Sequence, residues 1–210
     1  MAPAISTLAE FSYGLSMLSV SILKKAREEA AKMHQYSSAE TRRRIIDEFT
    51  RVFDGRQPYD WQIDVTEAIL LCVDCMVIAG TGAGKTMPFV MPLLLDETKK
   101  KMVLIISPLN ELEYDQAQRF KKLGITATAV NGDVYNTKLH KHPQFLRLLR
   151  TPDFMKNISA VVIDEGHCIS HWGENFRKIY AELGKIRSFV PLHVLFLAMS
   201  ATLPPLVLAD

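Results

Sequence analysis

Hydrophobic positions follow two regimes along this chain. Over roughly the first sixty residues they recur at helical spacing. Lys24 to Tyr36 is rich in Ala, Glu and Lys, which favour helix. Ser37 followed by Glu40 has the spacing of a capping box and predicts a second helix, through Arg42-Arg43-Arg44 to Phe53. Asp54-Gly55 stops it. The three arginines read as a solvated helix face, with phosphate contact as the alternative.

From Tyr59 onward short apolar runs alternate with helix-like segments. Strands are predicted at Cys75–Ala79, Met102–Ser107, Ile125–Val130, Ala160–Asp164 and Val194–Met199, and helices at Thr86–Leu95, Glu111–Leu123 and Phe176–Ser188. Each strand is a continuous apolar run rather than an in/out alternation, as expected of a parallel sheet with helices on both faces. The fold class is therefore α/β: a three-layer domain with a mostly parallel sheet, preceded by N-terminal helices. Helical residues 1–44 form an extension and residues 45–210 the main domain.

Composition changes this picture little. The chain has 210 residues, 48% hydrophobic and 23% charged, ordinary values for one large globular domain. A net charge of +2 is too small to argue for nucleic acid by itself. Three cysteines form no disulfide framework, and the odd count points to a reducing compartment. Cys72 and Cys75 are spaced C-x-x-C, but no second pair completes a zinc shell, so they read as strand-edge residues. Ile5–Leu23 is fairly apolar, with Glu10 its only charge, yet it lacks a basic start and is interrupted by five serines. It is a poor signal peptide and a poor membrane span, and reads as a packed or partner-facing helix.

The chemistry concentrates after the first strand. Ala79-Gly80-Thr81-Gly82-Ala83-Gly84-Lys85-Thr86 meets the pattern G-x-x-x-x-G-K-T in its alanine-first form, between a strand and a helix. Glycines let successive N–H groups turn inward around phosphates. Lys85 is suited to the β- and γ-phosphates of ATP, the Thr86 hydroxyl to Mg2+, and the helix start to the same anion. A second carboxylate for the metal is expected. The strand Ala160-Val161-Val162-Ile163 ends in Asp164-Glu165, where open parallel sheets place their ligands. Asp164 would hold Mg2+, and Glu165 would orient or deprotonate the attacking water.

Three segments in order, Ala79 to Thr86, Asp164-Glu165-Gly166-His167 and Ser200-Ala201-Thr202, resemble motifs I, II and III of superfamily-2 helicases. Within that group the chain is most similar to RecQ-like DNA helicases. That likeness rests on Gln62, on Ser107-Pro108-Leu109 with Asp115-Gln116, and on His167-Cys168-Ile169-Ser170-His171-Trp172-Gly173 with Phe176-Arg177. The resemblance covers residues 45 to 205 and implies a RecA-like lobe. It implies that Gln62 reads adenine and that His167 relays nucleotide state to Ser200 and Thr202. It further implies that Ser107, Trp172, Phe176 and Arg177 contact or sense single-stranded DNA. On spacing alone, Trp172 and Phe176 read as core residues at a helix start. His167 and His171 flank Cys168 but lack a complete zinc shell.

The chain departs from the family pattern in four places. Gly166 replaces the usual alanine, and His171 replaces a usual glutamine. The interval from Val134 to Ser159 is roughly twenty residues short and lacks a strand with a Pro-Glu end, leaving Thr151-Pro152-Asp153 as a faint echo. His140 to Pro143 reads as a junction left by a missing exon or a gene-model error. The sequence ends at Asp210, before the second RecA-like domain that the family uses to close over ATP. The resemblance implies an ATP-dependent DNA helicase that moves three-prime to five-prime on single-stranded or forked DNA, without a membrane, in the nucleus. This chain alone is expected to bind ATP and hydrolyse it poorly. The alternative is a nucleotide-binding module without unwinding activity.

Overall fold

The computed structural model describes residues 15–107, 110–127, 147, 151–166, 187, 190–191 and 193–201. Helix α1 spans Met17–His34, α2 Ser38–Val52 and α3 Asp60–Leu70. Strand β1 is Cys75–Ile78, α4 Met87–Leu94, β2 Met102–Ile106 and α5 Asn110–Lys122. A short α6 at Pro152–Met155 precedes β3 at Ile158–Ile163, and β4 is Leu195–Ser200.

Local chemistry sets the helix ends. Ser16 caps α1 by accepting from the Ser19 N–H, and Ser37 caps α2 by accepting from the Glu40 N–H. Asp54 and Gly55 both take left-handed backbone, which ends α2 as expected. Helix α1 begins at Met17, within the apolar stretch expected to be helical. Of the apolar stretch before Lys24, Leu23 is buried, while Met17, Leu18, Val20 and Ile22 are exposed. Helix α2 runs through residue 44, so the extension and the main domain join within one continuous helix.

The sheet is parallel in the order β1-β4-β3-β2. Ala160 and Val162 of β3, with Leu195, Leu197 and Met199 of β4, face a core capped by Val65 and Ile69 of α3, Phe89 and Val90 of α4, and Phe120 of α5. Ile158, Val161 and Ile163 face the other way, toward Met155 of α6, Val190 and Val194. Both faces are covered over β3 and β4, which is why those strands are uninterrupted apolar runs, whereas on β1 Met76 and Ile78 are exposed. Ile125, Thr126 and Ala127 form no strand, contrary to the sequence expectation, although Ile125 and Ala127 pack against the first core. Residues 128–130 and most of the predicted helix at 176–188 lie outside the described residues, as does the junction at 140–143.

Helices α1 and α2 are joined to the rest of the domain in two ways. Ile45 and Phe49 of α2 pack with Ile63 of α3 and Met91 of α4. Arg42, expected on a solvated face, instead donates to Asp64 Oδ1 at 2.6 Å and Glu67 Oε2 at 3.0 Å. Arg43 is exposed, and Arg44 lies 3.7 Å from Glu97. Glu67 is fully buried and also accepts from Arg27, Tyr36 and Ser38. Burial opposes its charge, but these donors overcome that and hold its carboxyl below the usual range. Tyr36 behaves oppositely. Burial first, against a Thr41 hydrogen bond and aided by Glu67, pushes its phenol up to about 12.

These shifts fix the sign of the pH dependence. Glu67 contributes stability above the ordinary carboxylate range, lost as pH falls through its lowered folded value. The phenol's folded value lies above its ordinary 10.0, so its contribution is intact below that pH and is lost as pH rises toward about 12. Chemical denaturation at stepped pH is expected to show stability declining across that alkaline window. Tyr36→Phe should flatten the decline, and an unchanged slope in that variant would contradict the assignment.

Candidate nucleotide site

All four strands run the same way, so their C-terminal ends share one edge of the sheet. Register makes this concrete. Ile78 of β1 pairs with Ser200 of β4, and Ile163 of β3 pairs with Ala198. One residue beyond β1, the Ala79 N–H donates to the Ser200 carbonyl at 3.1 Å. One residue beyond β3, the Asp164 N–H donates to the Ile106 carbonyl at 2.9 Å, beside Ser107 at the end of β2. The Gly166 N–H donates to the Met199 carbonyl at 2.7 Å. The edge thus brings together the glycine-rich loop, Asp164-Glu165, Ser107 and Ser200.

The loop leaves β1 at buried Ala79 and turns at Gly80, whose carbonyl accepts from the Ala83 N–H at 3.2 Å. Thr81 and Gly82 are exposed at its tip. Gly82 and Gly84 have φ of 82° and 78°, a conformation that glycine adopts at least cost. Thr86 is the N-cap of α4, so the positive end of that helix faces the loop. Lys85 folds back, its Nζ donating to the Ala79 carbonyl at 2.8 Å and the Gly80 carbonyl at 3.4 Å. The ammonium is therefore held against the loop that it would serve.

Asp164 is 8% exposed, and its Oδ1 accepts from the Glu165 N–H at 2.9 Å. Glu165 takes a left-handed φ of 51°, a conformation costing about 1 kcal/mol for a non-glycine residue. That strain sits beside the carboxylate expected to handle water. The Thr86 hydroxyl and Asp164 carboxylate are hard oxygen donors of the kind that Mg2+ takes. A Cβ at Gly166 would lie 3.4 Å from the Met199 carbonyl, an ordinary contact, so the glycine there is a mild departure from alanine.

Gln62, to which the resemblance gives the adenine-reading role, lies between the start of α3 and the loop. It is 4% exposed; its Oε1 accepts from the Tyr59 N–H at 3.0 Å, and its Nε2 donates to the carbonyls of Ala83 and Gly84 at 3.3 and 3.1 Å. Both ends of the amide are engaged with backbone, and adenine contact would require those bonds to exchange. Thr66, unnoticed in the sequence, donates to the carbonyls of Gln62 and Pro88 at 2.7 and 3.3 Å and ties α3 to α4. His167, His171, Trp172, Phe176, Arg177 and Thr202 lie outside the described residues.

Other features are separate from this edge. A cavity of about 400 Å3 lies where the strands begin, lined in part by Leu70, Lys101, Ile158, Ser159 and His193. Cys75 donates its thiol to the Val73 carbonyl at 3.2 Å, and burial, then Asp74, pushes that thiol up to about 11. It keeps its proton at neutral pH, the wrong state for a nucleophile or metal ligand. No helix among the described residues is long and apolar enough to cross a membrane.

A parallel sheet with a glycine-rich loop, lysine and paired carboxylates at its C-terminal edge defines a P-loop nucleotide-binding domain. Residues 59–209 match the DEAD/DEAH box helicase family, and the chain belongs to it. It is 31% identical over 205 residues to the ATP-dependent DNA helicase RecQ of Pasteurella multocida, an alignment covering 89% of this chain and 31% of that protein. It is 35% identical over 167 residues to a probable ATP-dependent DNA helicase RecS of Bacillus subtilis, covering 71% and 32%. The chain thus spans about a third of the length of these curated relatives. In fold it is similar to the DUF1998 helicase MrfA, solved bound to DNA and AMPPNP. That match has a TM-score of 0.54 at 17% identity and covers 77% of this chain and 26% of that one.

The two left-handed glycines separate conformational from steric demand. A Cβ at Gly82 meets nothing within 4 Å, whereas one at Gly84 would sit 2.6 Å from Gln62 Nε2. Gly82→Ala should cost about 1 kcal/mol for the backbone alone. Gly84→Ala should cost about 1 kcal/mol more, because the flexible end of Gln62 must swing aside and give up its bonds to the Ala83 and Gly84 carbonyls. Urea denaturation of both variants checks this, and equal losses would contradict the contact between Gln62 and the loop.

Proposed function

We propose that this chain is the ATP-binding lobe of a RecQ-like DNA helicase. In the complete protein it couples ATP hydrolysis to three-prime to five-prime movement on single-stranded DNA and to opening of forked duplexes, in the nucleus. The observation that carries the reading is the hydrogen bond from the Ala79 N–H to the Ser200 carbonyl. It joins the first residue of the phosphate loop to the last residue of β4, so a change in the loop reaches the Ser200-Ala201-Thr202 segment through one bond. The relatives' names, ATP-dependent DNA helicases, support the choice of substrate class.

The residues fit these roles. Backbone N–H groups of Gly80 to Thr86 would bind the phosphates, with Lys85 exchanging the Ala79 carbonyl for phosphate oxygens. Thr86 and Asp164 would hold Mg2+, which neutralises charge on the phosphates when bound. Glu165 would accept a proton from, or orient, the attacking water. His167 would link this chemistry to Ser200 and Thr202. Ser107, Trp172, Phe176 and Arg177 would engage the unpaired strand by phosphate contact, stacking and charge.

Titration of the purified chain with a fluorescent ATP analogue is expected to show binding that Lys85→Ala weakens at least tenfold, or about 1.4 kcal/mol. Unchanged binding in that variant would refute the phosphate-loop assignment. Steady-state ATP hydrolysis with added single-stranded DNA provides the second arm. Acceleration by DNA supports the helicase lobe, and binding without acceleration favours a nucleotide-binding module.

A further inference from the structure

We propose that the helical extension, α1 and α2, is a positioning element for the phosphate loop, acting through a buried charge cluster on α3 and from there through Gln62. The inference rests on the nucleotide reading above. It goes beyond that reading by giving a role to helices outside the residues that match the helicase family, which begin at residue 59.

The cluster centres on Glu67, whose side chain is 0% exposed. Arg27 of α1 donates to it twice, from Nε at 3.0 Å and from a terminal nitrogen at 2.5 Å. The Tyr36 hydroxyl donates at 2.9 Å, Ser38 Oγ donates to the same carboxylate, and Arg42 of α2 donates at 3.0 Å. Asp64, three residues earlier on α3, shares both guanidiniums, with Arg42 at 2.6 Å and Arg27 at 3.8 Å. Two carboxylates thus face two guanidiniums, and the formal charges cancel. Removing one partner from such a cluster leaves buried charge uncompensated, so its geometry is held tightly.

Helix α3 carries this constraint to the loop. At 3.6 residues per turn, Asp64 and Glu67 lie about 200° and about 140° round the helix from Gln62, so the cluster and Gln62 occupy opposite sides. On the Gln62 side, the amide bonds the carbonyls of Ala83 and Gly84, and Thr66 bonds the carbonyl of Pro88 in α4. The amide lies directly against the loop, since a Cβ on Gly84 would come within 2.6 Å of Gln62 Nε2. A small rotation of α3 would therefore move the amide that braces the loop. The extension fixes one side of α3 and the loop rests on the other.

Arg27 is the residue to test, because its side chain is 31% exposed and lies on the extension, remote in sequence from the loop. Nucleotide affinity should be measured by fluorescent ATP titration on the 210-residue chain at a temperature where circular dichroism shows every variant folded. Amide hydrogen exchange across residues 79–86 should be followed in parallel without nucleotide. Arg27→Gln is expected to weaken binding at least fivefold and to speed exchange in the loop, with Arg27→Lys recovering part of both. In a Gln62→Ala background the same Arg27→Gln change should add less than twofold, because the route through Gln62 is already cut. Equal losses in both backgrounds, or unaltered binding and loop exchange in Arg27→Gln, would overturn the proposal. Should the unmodified chain bind no nucleotide, the nucleotide reading fails instead. Loop exchange in Arg27→Gln then decides the mechanical link by itself: faster exchange supports it, and unchanged exchange overturns it.

Discussion

The parallel register between β1 and β4 is the constraint on which the site depends. Because Ile78 pairs with Ser200, the chain leaves β1 beside the end of β4, and the Ala79 N–H has the Ser200 carbonyl as its partner. A shift of one residue would turn the buried side chains of β1 to the wrong face and move the loop along the edge. The next two strands repeat the arrangement, with β3 placing Asp164-Glu165 and β2 placing Ser107 at the same end. Parallel strands thus convert four separated segments into one chemical edge, which a meander of antiparallel strands would divide between two edges.

Around that edge, polar groups are bonded in ways that hold the loop in a defined shape. Lys85 spans its mouth, Gln62 braces its second half, and Thr66 joins the bracing helix to the helix that the loop begins. The strained backbone of Glu165 is a local cost that the packed sheet beneath sustains. Lys85 and Gln62 hold the loop through side-chain hydrogen bonds, which can exchange while the strands stay paired. A nucleotide lobe needs this division between a rigid floor and exchangeable contacts.

Much of this was legible in the sequence because the residues concerned are chemically conspicuous. A glycine-rich run ending in Lys85-Thr86, and two carboxylates ending an apolar strand, have few alternative uses at those places. Strands β3 and β4 were legible because burial on both faces erases alternation, while β1 is an apolar run although Met76 and Ile78 are exposed. The same signal misled at 125–127, where Ile125 and Ala127 pack half-buried against the core yet join no ladder, since an apolar run reports burial and not pairing. Arg42 was misread as solvated because its partners, Asp64 and Glu67, lie 22 and 25 residues away on another helix. Glu67 itself looks like an ordinary polar helix position. Gln62 was recognised as functional, but its present bonds to Ala83 and Gly84 depend on how closely α3 approaches the loop, which no local pattern encodes.

On the proposed function, this edge would hold a nucleoside triphosphate through the loop from Ala79 to Thr86 and a metal through Thr86 and Asp164. A crystal structure of the chain with a non-hydrolysable ATP analogue and Mg2+ tests it most directly. The predicted result is a triphosphate enclosed by the N–H groups of residues 80–86, Lys85 Nζ shifted from the Ala79 carbonyl onto phosphate oxygens, and Mg2+ beside Thr86 and Asp164. Nucleotide bound elsewhere, with Lys85 still on the Ala79 carbonyl, would contradict the account.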